Sequence, residues 1–199
     1  VQLLPQTLTV QQFLESYPHG RNRHYELHQG IIVEMSPPKG KHEEIVGFLT
    51  LELSLEIKRL KLPWIIPKTA LVKSEISESA FCPDILILNR SNLQQEQQWE
   101  EYSTLWQAAS VPLAIEIVNS NWRDDYYLKL SEYEAIQIPE YWIVDYAALR
   151  LPFDFAQGER SGQAHGARKF IGNPKQPALS IYQLVEEEYQ VTKFQDCDR

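Results

Sequence analysis

Apolar positions recur along this chain at two spacings, and the switches between them mark out its elements. In "LTVQQFLESYP", Val10, Phe13 and Leu14 share one helical face behind Thr9, a residue suited to an N-cap, so a short helix is expected. "HYELHQGIIVEMSPP" predicts two short strands around a turn at Gln29-Gly30, closed by Pro37-Pro38. Over residues 42–60, Ile45, Leu49, Leu53, Ile57 and Leu60 keep helical spacing. Glu43, Glu44, Glu52 and Glu56 fill much of the remainder, which makes this the first long amphipathic helix. Lys58 and Arg59 near its end suit the helix dipole.

Strand patterns follow at residues 64–66, 70–72 and 85–88. The stretch "SNLQQEQQWEEYSTLWQAA", residues 91–109, is mostly polar and reads as a surface loop with room for a short helix. "VPLAIEIVNS" is an apolar strand interrupted only by Glu116; a helix is expected over residues 124–136, with Asp124 and Asp125 in its first turn. "EYWIVDY" predicts a further buried strand. The periodicity then breaks at "LPFDFAQGERSGQAHGARK", residues 151–169, which reads as a flexible, solvent-exposed insertion in a hairpin. "KFIG", "LSIYQLVE" and "YQVTKF" read as terminal strands, and no internal repeat is apparent.

Composition narrows the picture. The length, 199 residues, suits one domain with a substantial core, and 43% hydrophobic with 11% aromatic content argues for a globular chain rather than a disordered one. The net charge of −8 argues against a general nucleic-acid coat protein but leaves room for local basic strips. Arg21, Arg23, Lys39 and Lys41 form one such strip and Lys58, Arg59 and Lys61 another; each is also what ordinary solvated surface charge looks like. Cys82 and Cys197 lie far apart and form neither a disulfide framework nor a metal-binding spacing. No secretory leader or membrane-length apolar run is visible, so the expected compartment is the cytoplasm.

Two acids stand where charge is unwelcome. Asp84 directly precedes the apolar run Ile85 to Leu88, and Glu116 is flanked by Ile115 and Ile117. Burying either is costly without a partner or a cation. If these strands are neighbours, the two carboxylates can share a divalent cation. Mg²⁺ suits that supply: one or two carboxylates, a backbone carbonyl, and the rest from water and phosphate. Such an ion activates water and stabilises charge on a phosphoryl group. Lys129, thirteen residues past Glu116 on the next expected helix, is the candidate cation beside them, on the same face as Asp125, Glu132 and Tyr133. Arg123 is nearer to Glu116 in sequence and is its rival, although a position before the helix would hold it less firmly.

"PD", then "E-x-V" on the next apolar strand, then a Lys on the following helix resembles the PD-(D/E)XK nuclease superfamily. More narrowly, the chain resembles the Uma-two family of bacterial restriction endonucleases. The stretches that carry the resemblance are "LTVQQFLESYP", "HYELHQGIIVEMSPP", "HEEIVGFL", "CPDILIL", "AIEIVNSNWRDDYYLKLSEYEAIQIPEYWIVDY" and "KFIGNPKQPALSIYQLVEEEYQV". The resemblance implies an α/β fold with a restriction-endonuclease-like core: a mixed central sheet flanked by helices, with additional N- and C-terminal strands. It implies that Asp84 and Glu116 are metal ligands with the carbonyl of Ile117, and that Lys129 replaces the lysine usually found where Val118 stands. Glu26 and His42 match recurrent family positions. Glu26, with Glu43 as its competitor, is expected as an additional acidic group behind the ligands, and His42 as a phosphate contact or a helix cap. The insertion is not part of the family pattern, and relatives usually continue past "YQVTKFQDCDR" into another strand and helix.

The expectation is therefore a single domain over residues 1–199 that hydrolyses phosphodiester bonds in DNA with Mg²⁺, or Mn²⁺ in its place. A two-fold homodimer is the simplest way for such a domain to cut both strands. The main alternative is a catalytically idle nuclease fold serving as a binding or assembly protein, which the net acidity favours. A third reading is a phosphodiesterase acting on RNA or small nucleotides.

Overall fold

Residues 7–16, 24–118, 122–146 and 177–195 are described by the structure, a computed structural model. Its first helix, α1 (Val10–Ser16), begins as its sequence requires. Gln12 N–H donates to Thr9 Oγ1 at 3.2 Å and Thr9 N–H donates back to Gln12 Oε1 at 2.9 Å, a reciprocal capping box. The next two strands, β1 (Tyr25–His28) and β2 (Ile31–Glu34), pair antiparallel across the expected Gln29-Gly30 turn. Both turn residues have positive φ, 50° and 81°. Gly30 is required there twice over, because a Cβ at that position would also lie 2.8 Å from the Thr7 Cβ.

The long helix α2 (Gly40–Leu60) starts two residues before the expected residue 42 and stops at Lys61, which turns left-handed. Short strands follow: β3 (Trp64–Ile65), β4 (Leu71–Lys73), β5 (Ala80–Phe81) and β6 (Ile85–Asn89). The stretch expected as a surface loop is more deeply set than its polarity implied. It holds the one-turn helix α3 (Trp99–Tyr102) and the strand β7 (Thr104–Leu105), and buries Leu93, Leu105 and Glu96. Glu96 earns its burial by accepting the backbone N–H groups of Trp106 and Gln107. The remaining described strands and α-helix are β8 (Leu113–Ile117), α4 (Leu130–Ala135), β9 (Glu140–Asp145), β10 (Ala178–Val185) and β11 (Glu188–Gln195). The segment "KFIG", the insertion at 151–169, Arg21, Arg23 and Cys197 lie outside the described residues.

These elements make a mixed α/β fold around two mixed sheets. The central sheet has six strands in the order β11-β10-β9-β8-β6-β3, with β8 and β9 parallel and the rest antiparallel. A parallel pair needs a crossover, and the helical segment ending in α4 lies between β8 and β9 in the chain. The second sheet, order β2-β1-β5-β4-β7, is one that hydrophobic pattern did not announce, since two of its strands are only two residues long.

Strand alternation sorts the core into layers. Ile85, Ile87, Leu113, Ile115 and Ile117 face α2, which lays Ile45, Leu49, Leu53 and Ile57 on them. The opposite face presents Leu86, Leu88, Ala114, Val118, Tyr141 and Ile143 to α4 and to the inner side of the smaller sheet, Val72 and Phe81. The outer side of that sheet, Leu27, Leu71 and Ala80, is covered by α1. Glu116 alternates with Ile115 and Ile117 and therefore points between the two sheets.

Candidate active site

Between β8 and α4 the helix is α-helical at Trp122 and Arg123 but does not continue so. Residues Asp124–Lys129 form a π-helical turn, closed by wider i→i+5 bonds, which then tightens into α4. Its inner side carries Asp125 and Lys129 into the space between the sheets, where both are buried. The expected helix over 124–136 is thus present but wound differently at the residues that matter. Single wide turns of this kind concentrate at functional sites.

Lys129 is the hub of a buried ion cluster. Its Nζ lies 2.9 Å from Glu116 Oε1, 3.0 Å from Glu26 Oε1 and 3.6 Å from Asp125 Oδ1. Each of the four residues is buried, Lys129 and Glu26 almost completely. Glu26 arrives from β1, in the other sheet, and is held on three sides. Its Oε1 accepts the Cys82 N–H at 2.9 Å, and its Oε2 meets His28 Nε2 at 2.7 Å. His28 packs in turn on Phe81, ring centroids 5.3 Å apart.

Three carboxylates around one ammonium cannot all be equally content. Burial works against ionising Glu26, but Lys129, His28 and the Cys82 N–H outweigh it and hold the carboxyl down at about 2. Burial pushes Glu116 well above the ordinary carboxylate range; Lys129 opposes the rise while Asp125, Asp84 and Glu26 add to it. Asp125 is raised to about 6, again by burial first. Burial disfavours the charged form of Lys129, yet its three acidic neighbours hold the ammonium well above the ordinary lysine range. Lys129 therefore stays protonated at any pH the protein meets.

Asp84 stands at the open side, just before β6, with its side chain 26% exposed. Its Oδ2 accepts the Ile117 N–H at 2.7 Å and faces His42 Nε2 at 3.2 Å. The hydrogen bond to Asp84 raises the His42 pKa, against the effect of burial. His42 is not a helix cap: α2 has no side-chain cap, and the ring sits inside its first turn with Nε2 toward Asp84. Val118 N–H donates across to Val144 O at 3.0 Å, so the planar peptide turns the Ile117 carbonyl the other way. That is the side on which the Ile117 N–H meets Asp84. A cleft of about 460 Å³ opens here, lined by Asp84, Glu116, Ile117, His42, Asp125 and Lys129, with Lys68 among the residues at its walls.

The structure thus brings Asp84, Glu116, Ile117, His42 and Lys129 to one cleft and sets Glu26 behind Lys129. Glu43 lines the cleft with a largely exposed side chain and does not reach Lys129's cluster in the way Glu26 does. Arg123 points elsewhere, its guanidinium 5.2 Å from the Trp122 ring centroid. Asp125 joins the cluster without having been expected in the site from sequence. Its signal was present in the i,i+4 spacing to Lys129.

As a cation site the cleft offers two carboxylates, Asp84 and Glu116, with the Ile117 carbonyl on the same side; His42 also lines it, but its Nε2 is turned to Asp84. Among the described residues no three His, Cys, Asp or Glu side chains are gathered into a ready ligand set. Two carboxylates and a carbonyl suit a hard divalent cation that keeps several waters, and not a four-ligand structural zinc.

The Uma2 family model, described as "Putative restriction endonuclease", matches residues 10–198. Among solved structures, a putative nuclease belonging to DUF820 from Anabaena variabilis is similar in fold. Its TM-score is 0.61 at 15% sequence identity, with 96% of this chain and 87% of that chain covered. No curated protein matches this sequence.

Proposed function

Because this chain belongs to the Uma2 family, we propose that the cleft hydrolyses phosphodiester bonds in DNA as a Mg²⁺-dependent endonuclease, with Mn²⁺ able to substitute. The observation that carries the reading is the convergence of Asp84, Glu116 and the Ile117 carbonyl side on one cleft, with a permanently charged Lys129 against Glu116. Asp84, Glu116 and the carbonyl of Ile117 are the groups that would hold the cation. When bound, that ion supplies a water of lowered pKa and charge stabilisation for the phosphoryl oxygens.

The chain's own residues account for the rest. The Ile117 N–H and His42 fix the Asp84 carboxylate so that it need not reorganise. Lys129 is held too strongly protonated to act as a general base. Its role is electrostatic: it lies at the cleft wall and offsets negative charge that grows on the phosphorane-like transition state. Glu26, pinned by Cys82 N–H and His28, keeps the ammonium in place from behind.

Glu116→Gln is the direct test. Cleavage of a duplex oligonucleotide in Mg²⁺ should disappear while circular dichroism stays that of the parent; cleavage that persists would remove Glu116 from the mechanism. A second reading, an idle nuclease fold used for binding or assembly, draws on the same cluster. Lys129 with its three carboxylates ties the two sheets together whether or not chemistry occurs. Calorimetric titration with Mn²⁺ separates the two, since an idle fold has no reason to retain millimolar or tighter metal binding. Single-stranded RNA and DNA as parallel substrates resolve the nucleic-acid class.

A further inference from the structure

We infer that the outer face of α2 is a docking surface for a second copy of this chain, packed antiparallel about a two-fold axis near Leu51. The helix is apolar on two opposite sides. Ile45, Leu49, Leu53 and Ile57 lie on the central sheet. Turned away from them at 3.6 residues per turn are Phe48, Leu51 and Leu55, spaced i, i+3, i+7 and exposed by 61%, 58% and 54%. Scattered exposed leucines need no explanation, but a contiguous stripe with a phenylalanine on one helix face marks an interaction site.

The charges at the ends of the stripe select the occupant. Glu44 stands one turn before Phe48, and Lys58 and Arg59 stand one turn after Leu55. Glu44 and Arg59 are both about two-thirds exposed and, among the described residues, make only short-range helical pairs, Glu44 with Lys41 and Arg59 with Glu56. The midpoint between Phe48 and Leu55 coincides with that between Glu44 and Arg59, just past Leu51. An antiparallel copy therefore sets Phe48 on the partner's Leu55, Leu51 on its own symmetry mate, and Glu44 beside the partner's Lys58 and Arg59. A parallel copy would set Glu44 on Glu44 and Arg59 on Arg59. The stripe is complementary to itself in one orientation, which is the requirement of an isologous two-fold contact. His42 lies on the opposite, sheet-facing side, so docking leaves the cleft open, and the inference stands whether or not the cleft cleaves DNA.

Sedimentation velocity over a concentration series tests it. The parent should dimerise, and Leu51→Glu should weaken the dimer at least ~30-fold, the effect of one central hot-spot residue. Glu44→Arg should weaken it too, and adding Lys58→Glu with Arg59→Glu should restore it. Under mild oxidation, Leu51→Cys should cross-link two chains where Phe48→Cys does not. Metal binding per chain should be the same in Leu51→Glu as in the parent. A parent that stays monomeric overturns the proposal, as does a Leu51→Glu variant that dimerises unchanged. A monomer in which Leu51→Cys is shielded from maleimide would show that the chain itself covers the stripe, and would overturn it equally.

Discussion

Beneath α2, Ile115 is fully buried among Ile85, Ile87, Leu113 and Ile117. One residue further along β8, Glu116 is buried almost as deeply, but among Glu26, Asp125 and Lys129. The first face is held by area removed from water, about 1.5–3 kcal/mol for a large aliphatic side chain, and any similar volume would serve. The second gains nothing from area. Each charge there costs several kcal/mol to desolvate, and the cost is met only while every partner stays in place. On the first face the loss scales with the volume removed; on the second it depends on which charge is removed, and is greatest for the ammonium.

Removing the hub should give the largest effect. Lys129→Met leaves three buried carboxylates without their cation and should lower stability in urea by ~3–5 kcal/mol, the cost of breaking a buried ion pair from one side. Among molecules that remain folded, Lys129→Ala should cleave at least ~100-fold more slowly, the lower range for losing one electrostatic donor. Arg123→Ala, whose side chain lies over Trp122, should cleave like the parent. If Arg123→Ala were dead and Lys129→Ala active, the two roles would have to be exchanged.

On the aliphatic face, Ile115→Ala should cost ~2–5 kcal/mol through lost contacts and a cavity. Unlike the Lys129 change, it should leave the pH dependence of stability unaltered. A loss confined to stability, with Mn²⁺ affinity preserved, would confirm that the faces are energetically separate. Coupling between Ile115→Ala and metal binding would deny it.

The smallest effect is the most diagnostic. Asp125 has its pKa raised from an ordinary 3.8 to about 6, so the folded state holds that proton more tightly than the unfolded chain does. Its contribution is fully present below 3.8 and is lost as pH rises through about 6. Glu26 runs the other way: lowered from 4.5 to about 2, it stabilises above 4.5, and that contribution fades as pH falls toward 2. In EDTA, Asp125→Asn should therefore flatten the fall in stability between about pH 4 and 6, an effect on the order of 1–3 kcal/mol. The acid limb below that window should remain and should vanish instead in Glu26→Gln. A parent whose stability is flat from pH 4 to 6 would show that Asp125 is not strained.

Much of this arrangement can be read from the chain alone, and the limits have physical causes. Glu116 stands out because a lone acid between isoleucines needs a reason, and Asp84 because it opens an aliphatic strand. The helix faces of α1 and α2, the Gln29-Gly30 turn and the strands β6, β8 and β9 follow from period and turn chemistry. The second sheet does not, because β5 and β7 are too short to carry an alternating pattern. Nor does the clamp of Glu26 on Lys129, which joins residues more than a hundred positions apart through the packing of two sheets. The burial of Glu96 was hidden for a related reason: its partners are backbone N–H groups, which leave no trace in side-chain pattern.

The wide turn at residues 124–129 bears on how this protein tolerates changes of length. A helix advances about 100° per residue, so a residue gained or lost normally rotates everything beyond it. The π-helical turn is one residue wider than its neighbours and acts as a local store of chain. Drawing that residue out would close the turn to ordinary pitch. Trp122 before it and Tyr133 after it would keep their azimuths, while Asp125 and Lys129 would be re-indexed. The position of the cluster's cation thus depends on a single spare residue, and a one-residue deletion there would keep the flanking helix in register while carrying Lys129 away from Glu26 and Glu116.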